Sequence, residues 1–333
     1  MPHEQKRILI AGGGGFIGGH LAGALLAQGH QVVTADLKEL DQWYQVHDQA
    51  ENVVLNLEEK DACYKVTGGC DEIYNLACNM GGMGFIEFNK ALCMISVLIN
   101  SHLLMAARDL GVKRYFFASS ACVYPDYRQG DADVMALKES DAYPAQPEDG
   151  YGWEKLFSER MCVNFHEDFG VNARVFRFHN VYGPFGTWDG GREKAPAALC
   201  RKVIEAADTG IHDIEIWGDG EQTRSFMYID DCLNGVARLM ASDHTQPLNL
   251  GRAELVSING LLDIIEGFAG IELNRKYDLS KPQGVRGRNS DNNLIQETLG
   301  WEPEVDLATG LEKTYHWIKA QYDRRKSGES VVA

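Results

Sequence analysis

Tyr151 and Lys155 are four residues apart in the run Gly150-Tyr151-Gly152-Trp153-Glu154-Lys155. On a helix, this spacing places both side chains on one face. A phenol is a poor base at neutral pH because its pKa is about 10, and a neighbouring ammonium lowers that pKa by favouring the phenolate. Such a pair can take the proton of an alcohol while a hydride leaves its carbon. The same spacing also occurs in ordinary exposed helix pairs, so the rest of the sequence must decide.

A glycine-rich turn follows the first predicted strand, residues 7–11, and opens a predicted amphipathic helix over residues 16–28. Its spacing is G-x-x-G-x-x-G, with glycines at Gly12, Gly15 and Gly18. Glycines there permit a tight turn and a close backbone approach to a pyrophosphate, and the helix N-terminus attracts the anion. This order of strand, turn and helix predicts a dinucleotide site, rather than a plain glycine-rich loop.

Asp36 ends the second predicted strand, residues 31–35. A carboxylate at this point holds the ribose hydroxyls of NAD and repels the additional phosphate of NADP. The sequence therefore favours NAD, although Lys38 lies close by and would accommodate a phosphate.

Composition limits the function classes. The chain has 333 residues and a net charge of −16, which argues against nucleic acid or an anionic membrane surface as a partner. No apolar run predicts a membrane span, and the polar start does not read as a signal peptide. The eight cysteines contain no C-x-x-C pair, so we expect reduced, mostly buried thiols, no metal site and a cytoplasmic location.

Strand-like and helix-like segments alternate up to about residue 180, which predicts an α/β fold with a doubly wound, Rossmann-type parallel sheet. Further strands are predicted at residues 53–55, 72–76, 114–118 and 173–178, with long helices at 89–110 and 151–169. Residues 1–183 are expected to form the dinucleotide-binding domain, with residues 225–250 returning to it. Residues 184–333 are expected to form mainly a smaller α/β substrate domain, with helices at 195–207, 230–240, 258–268 and 307–320.

Ser120 and Cys122 follow the fifth predicted strand, at the sheet edge where ligands bind in open α/β folds. Ser120 can hydrogen-bond a reacting hydroxyl together with Tyr151, or it can simply form a turn. Cys122 can act as a base if nearby cations favour its thiolate, or it can be a small buried hydrophobe. Lys194, at a predicted helix start, is either a proton donor or a solvated lysine.

Cations gather in the second half of this acidic chain. They include Arg192, Lys202, Arg224, Arg286 and Arg288. Arginine binds phosphate oxygens in a bidentate manner, so the pattern suits a diphosphate ligand, with scattered surface arginines as the competing explanation. The run from Trp217 to Phe226 presents Arg224 after a glycine-rich turn and favours the ligand.

These motifs resemble those of the extended short-chain dehydrogenase/reductases that act on nucleotide sugars. The resemblance rests on residues 12–18, Asn75-Leu76-Ala77, Ser119-Ser120, the Tyr151–Lys155 pair and Trp217-Gly218-Asp219-Gly220. Within that group, the chain is most similar to the GDP-mannose 3,5-epimerases. The runs that carry this likeness are residues 80–86, 119–122, 177–180, 182–188, 190–198 and 284–294.

The resemblance implies a catalytic cycle with bound NAD. Tyr151 would take the C4 hydroxyl proton, Cys122 would remove the C3 and C5 protons, Lys194 would deliver protons from the opposite face, and Lys155 would also hold the nicotinamide ribose. It implies GDP-mannose as substrate, GDP-L-galactose as product, a C5-only gulose product as a further possibility, and a homodimer through the two long helices. The main alternative function is that of a 4-epimerase or a 4,6-dehydratase, and a more remote alternative is a non-catalytic dinucleotide-binding protein.

The resemblance also assigns binding residues. The cofactor would contact the turn and strand-end residues Gly12, Gly15, Phe16, Ile17, Gly18, Asp36, Asn56 and Leu57, with Tyr151 and Lys155. The nucleotide sugar would contact Gly82, Ser120, Ala121, Cys122, Asn180, Glu193, Lys194, Ala195, Lys202, Gln222, Thr223, Arg224 and Arg288. Asn56 departs from the usual aspartate near the adenine, and Ala77-Cys78-Asn79-Met80 departs from Ala-Ala-Asp-Met.

Overall fold

The computed structural model of the protein describes residues 4–333, so the first three residues of the polar start lie outside it. Its strands are β1 (Arg7–Ala11), β2 (Gln31–Asp36), β3 (Glu51–Val54), β4 (Glu72–Asn75), β5 (Arg114–Ser120), β6 (Ala173–Phe178), β7 (Val181–Tyr182), β8 (Asp213–Trp217), β9 (Thr223–Arg224), β10 (Met227–Tyr228), β11 (Leu248–Leu250), β12 (Val256–Ser257), β13 (Asn274–Asp278) and β14 (Gly287–Arg288).

Seven of these strands form one parallel sheet in the order β11-β6-β5-β4-β1-β2-β3. The strand order reverses beside β1, and in open α/β sheets ligands bind at such a reversal, outside the carboxyl ends of the strands. The predicted Rossmann-type sheet is therefore confirmed. Strand β11 comes from the segment expected to return to the first domain, and it pairs with β6.

The helices are α1 (Phe16–Ala27), α2 (Lys60–Thr67), α3 (Met83–Phe88), α4 (Lys90–Ile95), α5 (Val97–Leu110), α6 (Asp149–Phe169), α7 (Ala195–Thr209), α8 (Ile229–Ala241), α9 (Ile258–Ala269), α10 (Asn293–Leu299) and α11 (Leu307–Lys326). The prediction of a single long helix at residues 89–110 is wrong in one respect, because a turn at Ser96 divides this segment into α4 and α5. By length and composition alone, Lys90–Leu110 could cross a membrane, but α4 and α5 both pack against α6.

Two apolar layers cover the sheet, because successive strand residues face opposite sides. Ile8, Ile10 and Phe116 pack with helices of the later half of the chain, whereas Leu9 and Phe117 pack with residues of α2 and α5. The first layer also contains Ile214 and other residues of the small sheets β8–β13 and β12-β9-β14. The substrate region therefore shares its apolar core with one face of the main sheet.

A buried ion pair holds the chain where β5 ends. Arg177 on β6 binds both carboxylate oxygens of Glu159 on α6, and both side chains are almost fully buried. The hydroxyl of Ser119 donates to the same carboxylate at 2.5 Å, and Arg177 also donates to the Tyr124 hydroxyl at 3.2 Å. This network fixes the segment that carries Ser120 and Cys122 between two elements of the core.

Glu159→Gln is expected to lower the free energy of unfolding by about 3–5 kcal/mol, because it leaves the buried guanidinium of Arg177 without its anion. Chemical denaturation measures the loss. The matched control is Asp323→Asn, which breaks the exposed pair with Lys319 and is expected to cost about 0.5 kcal/mol or less. Equal effects of the two variants would contradict the structural role given to the buried pair.

Candidate active site

The glycine turn between β1 and α1 leaves no room for side chains. A Cβ on Gly18 would lie 2.2 Å from the carbonyl oxygen of Gly12, and one on Gly12 would lie 2.9 Å from the amide nitrogen of Ala77. Gly12 also has a positive φ of 84°, and Gly15 precedes the first helical residues, Phe16 and Ile17. The bare backbone and the start of α1 together form a cradle for an anion.

Asp36 closes this cradle at the end of β2. One carboxylate oxygen accepts from the amide of Gly14 at 3.1 Å, and the other accepts from the amide of Lys38 at 3.1 Å. The ammonium of Lys38 donates to the carbonyl of Gly14 at 2.8 Å and is therefore held on the backbone. Asn56 and the buried Leu57 follow β3, the next strand of the sheet, as expected for the adenine side.

Tyr151 and Lys155 lie on α6 and are both buried. The Lys155 ammonium is 5.6 Å from the centre of the Tyr151 ring and 4.8 Å from that of Phe117. The carboxylate of Glu154 lies 3.5 Å from the same ammonium and is equally buried. Burial opposes the charge on Lys155, but Cys78 and Glu154 outweigh it and raise the lysine pKa. Lys155 is thus held as a cation.

The expected lowering of the Tyr151 pKa is not found. Burial raises it well above that of an ordinary phenol, the thiols of Cys78 and Cys122 add to the rise, and a hydrogen bond with Ser120 lowers it. The prediction failed because it considered the ammonium alone. In the structure, the Glu154 carboxylate offsets that charge, and the ring sits among apolar and thiol groups.

Cys122 is placed by the backbone of α6. Its carbonyl oxygen accepts from the amide of Glu148 at 2.9 Å, and a Cβ on Gly152 would lie 2.3 Å from the same oxygen. A glycine at position 152 is therefore required for the helix to pack this closely. The hydroxyl of Ser120 accepts from the Cys122 amide at 3.2 Å. Ser120, Cys122 and Tyr151 are consequently brought close together.

Cations face the Cys122 sulfur. Arg288 Nη1 donates to it at 3.6 Å, and the rest of that guanidinium binds Gln129 and Glu148. Lys194, at the start of α7, is near enough to interact electrostatically with the thiols of Cys122 and Cys78. Burial lowers the pKa of Lys194, and these thiols partly offset the shift. The structure thus brings a thiol and a readily deprotonated amine to one place.

A tight loop contact lies beside Lys194. The amide of Gly82 donates to the carbonyl of Arg192 at 3.0 Å, and a Cβ on Gly82 would lie 2.6 Å from the carbonyl oxygen of Glu193. The Glu193 carboxylate binds Arg201 at 3.3 Å, which fixes the chain just before Lys194 and Ala195. Gly82 is therefore needed for the loop after β4 to contact the start of α7.

Arg224 is a half-buried cation. Its guanidinium donates only to the carbonyls of Thr223 and Gln283, and within residues 4–333 it forms no ion pair. Burial lowers its pKa to about 10. The neighbouring Gln222 has a buried side-chain oxygen that lacks a hydrogen-bond partner. A bound diphosphate would supply the charge that Arg224 lacks.

Other expected binding residues have mainly structural contacts. Asn180 donates to the carbonyl of Ser225 at 3.1 Å, and the Thr223 hydroxyl donates to the carbonyl of Ala132. Ala121 is buried beside Cys122. The ammonium of Lys202 donates to the carbonyl of Glu215 at 2.8 Å, and burial lowers its pKa.

Comparison with known proteins places this site in a family. Residues 8–251 match the model of the NAD dependent epimerase/dehydratase family. The chain belongs to this family. It is 50% identical to GDP-mannose 3,5-epimerase 1 of Oryza sativa subsp. japonica, over 98% of this chain and 85% of that protein. It is 47% identical to GDP-mannose 3,5-epimerase of Arabidopsis thaliana, over 100% and 87% of the two chains.

A solved structure of the same architecture contains the cofactor. UDP-glucuronic acid 4-epimerase from Bacillus cereus, in complex with UDP-glucuronic acid and NAD, is 26% identical to this chain. It has a TM-score of 0.79 and covers 95% of this chain and 100% of its own. The epimerase/dehydratase family is NAD-dependent, and the cradle fits that cofactor: Gly12, Gly15 and Gly18 admit a pyrophosphate, and Asp36 admits a ribose.

Sequence reasoning missed two residues of the site. Cys78 appeared only as a departure from the usual family motif, yet its thiol interacts with both Lys155 and Tyr151. Glu148 was not considered, although it lies three residues before Tyr151 and binds Arg288. Its position just before α6 was the available signal, because the first turn of that helix carries Tyr151.

Gly18→Ala is expected to weaken NAD binding roughly tenfold or more, because its methyl group must displace the Gly12 carbonyl from the cradle. Isothermal titration calorimetry with NAD measures the change. Gly267→Ala is the matched control, since a Cβ there meets no atom within 4 Å. A folded Gly18→Ala variant with unchanged affinity for NAD would show that the glycine turn does not bind the cofactor.

Proposed function

We propose that this protein epimerises GDP-mannose at C3 and C5 and releases GDP-L-galactose. The main structural support for this proposal is that the Cys122 thiol interacts with both the Lys194 amine and Tyr151. A 4-epimerase needs the tyrosine and the lysine of α6 but has no use for a second acid and base. Near-full-length identity of 47–50% to plant GDP-mannose 3,5-epimerases supports the same activity.

Oxidation at C4 prepares the sugar. When bound, NAD accepts a hydride from C4 and returns it at the end of the turnover. Tyr151 takes the C4 hydroxyl proton as phenolate, and the hydrogen bond with Ser120 lowers its raised pKa toward that form. Lys155 is kept cationic in the pocket by Glu154 and Cys78 and holds the tyrosine and the cofactor ribose in place. The hydrogens at C3 and C5 become acidic because both are alpha to the new carbonyl.

Inversion requires a base on one face of the ring and an acid on the other. Cys122, as thiolate, removes the proton at C3 or C5, and the ammonium of Lys194 delivers a proton to the opposite face. The lowered pKa of Lys194 suits this task, because a lysine of ordinary pKa gives up its proton reluctantly near neutral pH. The thiol and amine then exchange protons with solvent, which prepares them for the second centre.

Charge supports a nucleoside diphosphate as the carrier of the sugar. Arg224 lacks an anionic partner, and Lys202 lies two helical turns beyond Lys194 on α7, with its pKa lowered by burial. Two such cations stabilise a diphosphate more than they stabilise an uncharged sugar.

Cys122→Ala is expected to abolish the incorporation of deuterium at C3 and C5 when GDP-mannose is incubated in heavy water, while NAD stays bound. Mass spectrometry and NMR of the recovered sugar give the result, including any C5-only gulose product. Cys70→Ala is the control, since this buried thiol lies at the amino-terminal end of β4, opposite the site.

Normal deuterium exchange in Cys122→Ala would remove the thiol from the mechanism. Inversion at C4 by the unaltered protein, without label at C3 or C5, would identify a 4-epimerase instead. Loss of water from the sugar would identify a dehydratase, and no turnover with any nucleotide sugar would favour a non-catalytic dinucleotide-binding protein.

We also propose that the protein acts as a homodimer. Apolar side chains are exposed on the outer faces of α4, α5 and α6, which pack side by side, and Phe157 is 57% exposed. The group comprises Leu92, Ile95, Leu98, Trp153 and Phe157. A patch of this kind on adjacent helices suits a twofold contact, in which a second copy offers the same face.

Phe157→Glu is expected to convert the dimer to a monomer, because it places a charge in the middle of this apolar face. Light scattering after size exclusion measures the mass. Ile211→Glu, which alters a more exposed apolar residue between α7 and β8, is expected to leave the dimer intact. A monomeric unaltered protein would end this proposal.

A further inference from the structure

Glu148 lies just before α6 and does not cap it. A carboxylate at this position commonly accepts from the first amides of its helix, but here the side chain makes no such bond. It turns instead to the guanidinium of Arg288 on β14 and forms an ion pair. Both side chains are largely buried, with 12% and 7% of their surfaces exposed. A buried pair of this kind is held in one geometry.

The guanidinium of Arg288 also contacts Cys122, the proposed base. Arg288 Nε donates to Gln129 Oε1 at 2.5 Å, and Nη1 donates to the Cys122 sulfur at 3.6 Å. The amide of Glu148 donates to the Cys122 carbonyl, so Glu148 contacts the base segment through its backbone as well. Gln129 binds Nε and Glu148 binds Nη2 of Arg288, so Nη1 is the nitrogen that contacts the sulfur.

We propose that Glu148 is a positioning residue, which holds Arg288 against Cys122 and thereby sets the pH range in which the thiol acts as a base. The inference rests on the proposed role of Cys122. A guanidinium in contact with the sulfur favours the thiolate. The Glu148 carboxylate contacts Arg288 and its amide contacts the Cys122 carbonyl, so the carboxylate acts on the sulfur through Arg288.

Other charged or titratable groups also face the sulfur and act on the same equilibrium. Lys194 and Arg224 interact electrostatically with Cys122, and Tyr151, Cys78 and Cys93 pack in the same apolar cluster as Cys122. The effect of Glu148 must therefore be separated from the effects of these groups, which requires variants of Glu148 made with and without a change at Arg288.

The test is a double-mutant cycle on the pH dependence of Cys122 alkylation by iodoacetamide, followed peptide by peptide with mass spectrometry. Arg288→Met is expected to raise the alkylation midpoint by roughly one pH unit, because a cation in contact with the sulfur is lost. Glu148→Ala is expected to raise it in the same direction, and to add nothing in the Arg288→Met background. The peptide with Cys63, a fully buried thiol of the sheet's opposite layer, reports unfolding, because that thiol is alkylated only when the chain opens.

Glu148→Gln keeps an acceptor oxygen for Arg288 and is expected to stay closer to the unaltered midpoint than Glu148→Ala does. It also serves if the alanine variant fails to fold. A Glu148 effect of equal size with and without Arg288, a fall in the midpoint, or no change would overturn the proposal. Because alkylation needs no sugar substrate, failure of the epimerisation reaction would be recognised separately in the heavy-water experiment.

Discussion

The close packing of the end of β5 against the start of α6 is the constraint on which the site depends. Gly152 has no side chain, so the helix can approach the Cys122 carbonyl, and the Glu148 amide then donates to that oxygen. Tyr151 lies between these two contacts and is thereby placed beside Ser120 and Cys122. Any side chain at position 152 would have to push the proton acceptor for the alcohol away from the proposed base for the adjacent carbons.

Charge in the site is of two kinds, and the difference separates structure from chemistry. Arg177 and Arg288 are buried cations with carboxylate partners, and they fix the chain around Cys122. Lys194 and Arg224 are half-buried cations whose pKa is lowered by burial, and within residues 4–333 neither forms an ion pair with a carboxylate. Unpaired buried cations are costly, and a protein retains them where a ligand or a reaction uses the charge. The diphosphate and the proton transfer provide such uses.

Much of the fold could be predicted from the sequence. The first and sixth strands have the predicted bounds, because buried parallel strands are continuous apolar runs between clear turn signals. The break at Ser96 could not be predicted, since the apolar pattern continues through it. Site residues at strand and helix ends were predictable from the topology, whereas Glu148 and the thiol of Cys78 depend on tertiary contacts that no local pattern records. The prediction that the Tyr151 pKa is lowered was wrong for the same reason, because burial and the Glu154 carboxylate act on the phenol only in the folded chain.

The central claim is that a thiol and an amine flank opposite faces of a sugar ring that is transiently oxidised at C4. A crystal structure with NAD and GDP-mannose bound tests it most directly. The account predicts that the Cys122 sulfur and the Lys194 ammonium lie on opposite sides of the hexose, each within reach of C3 and C5, with the Tyr151 hydroxyl at the C4 oxygen. A hexose that leaves both groups on one side, or a sulfur walled off from the ring, would contradict it.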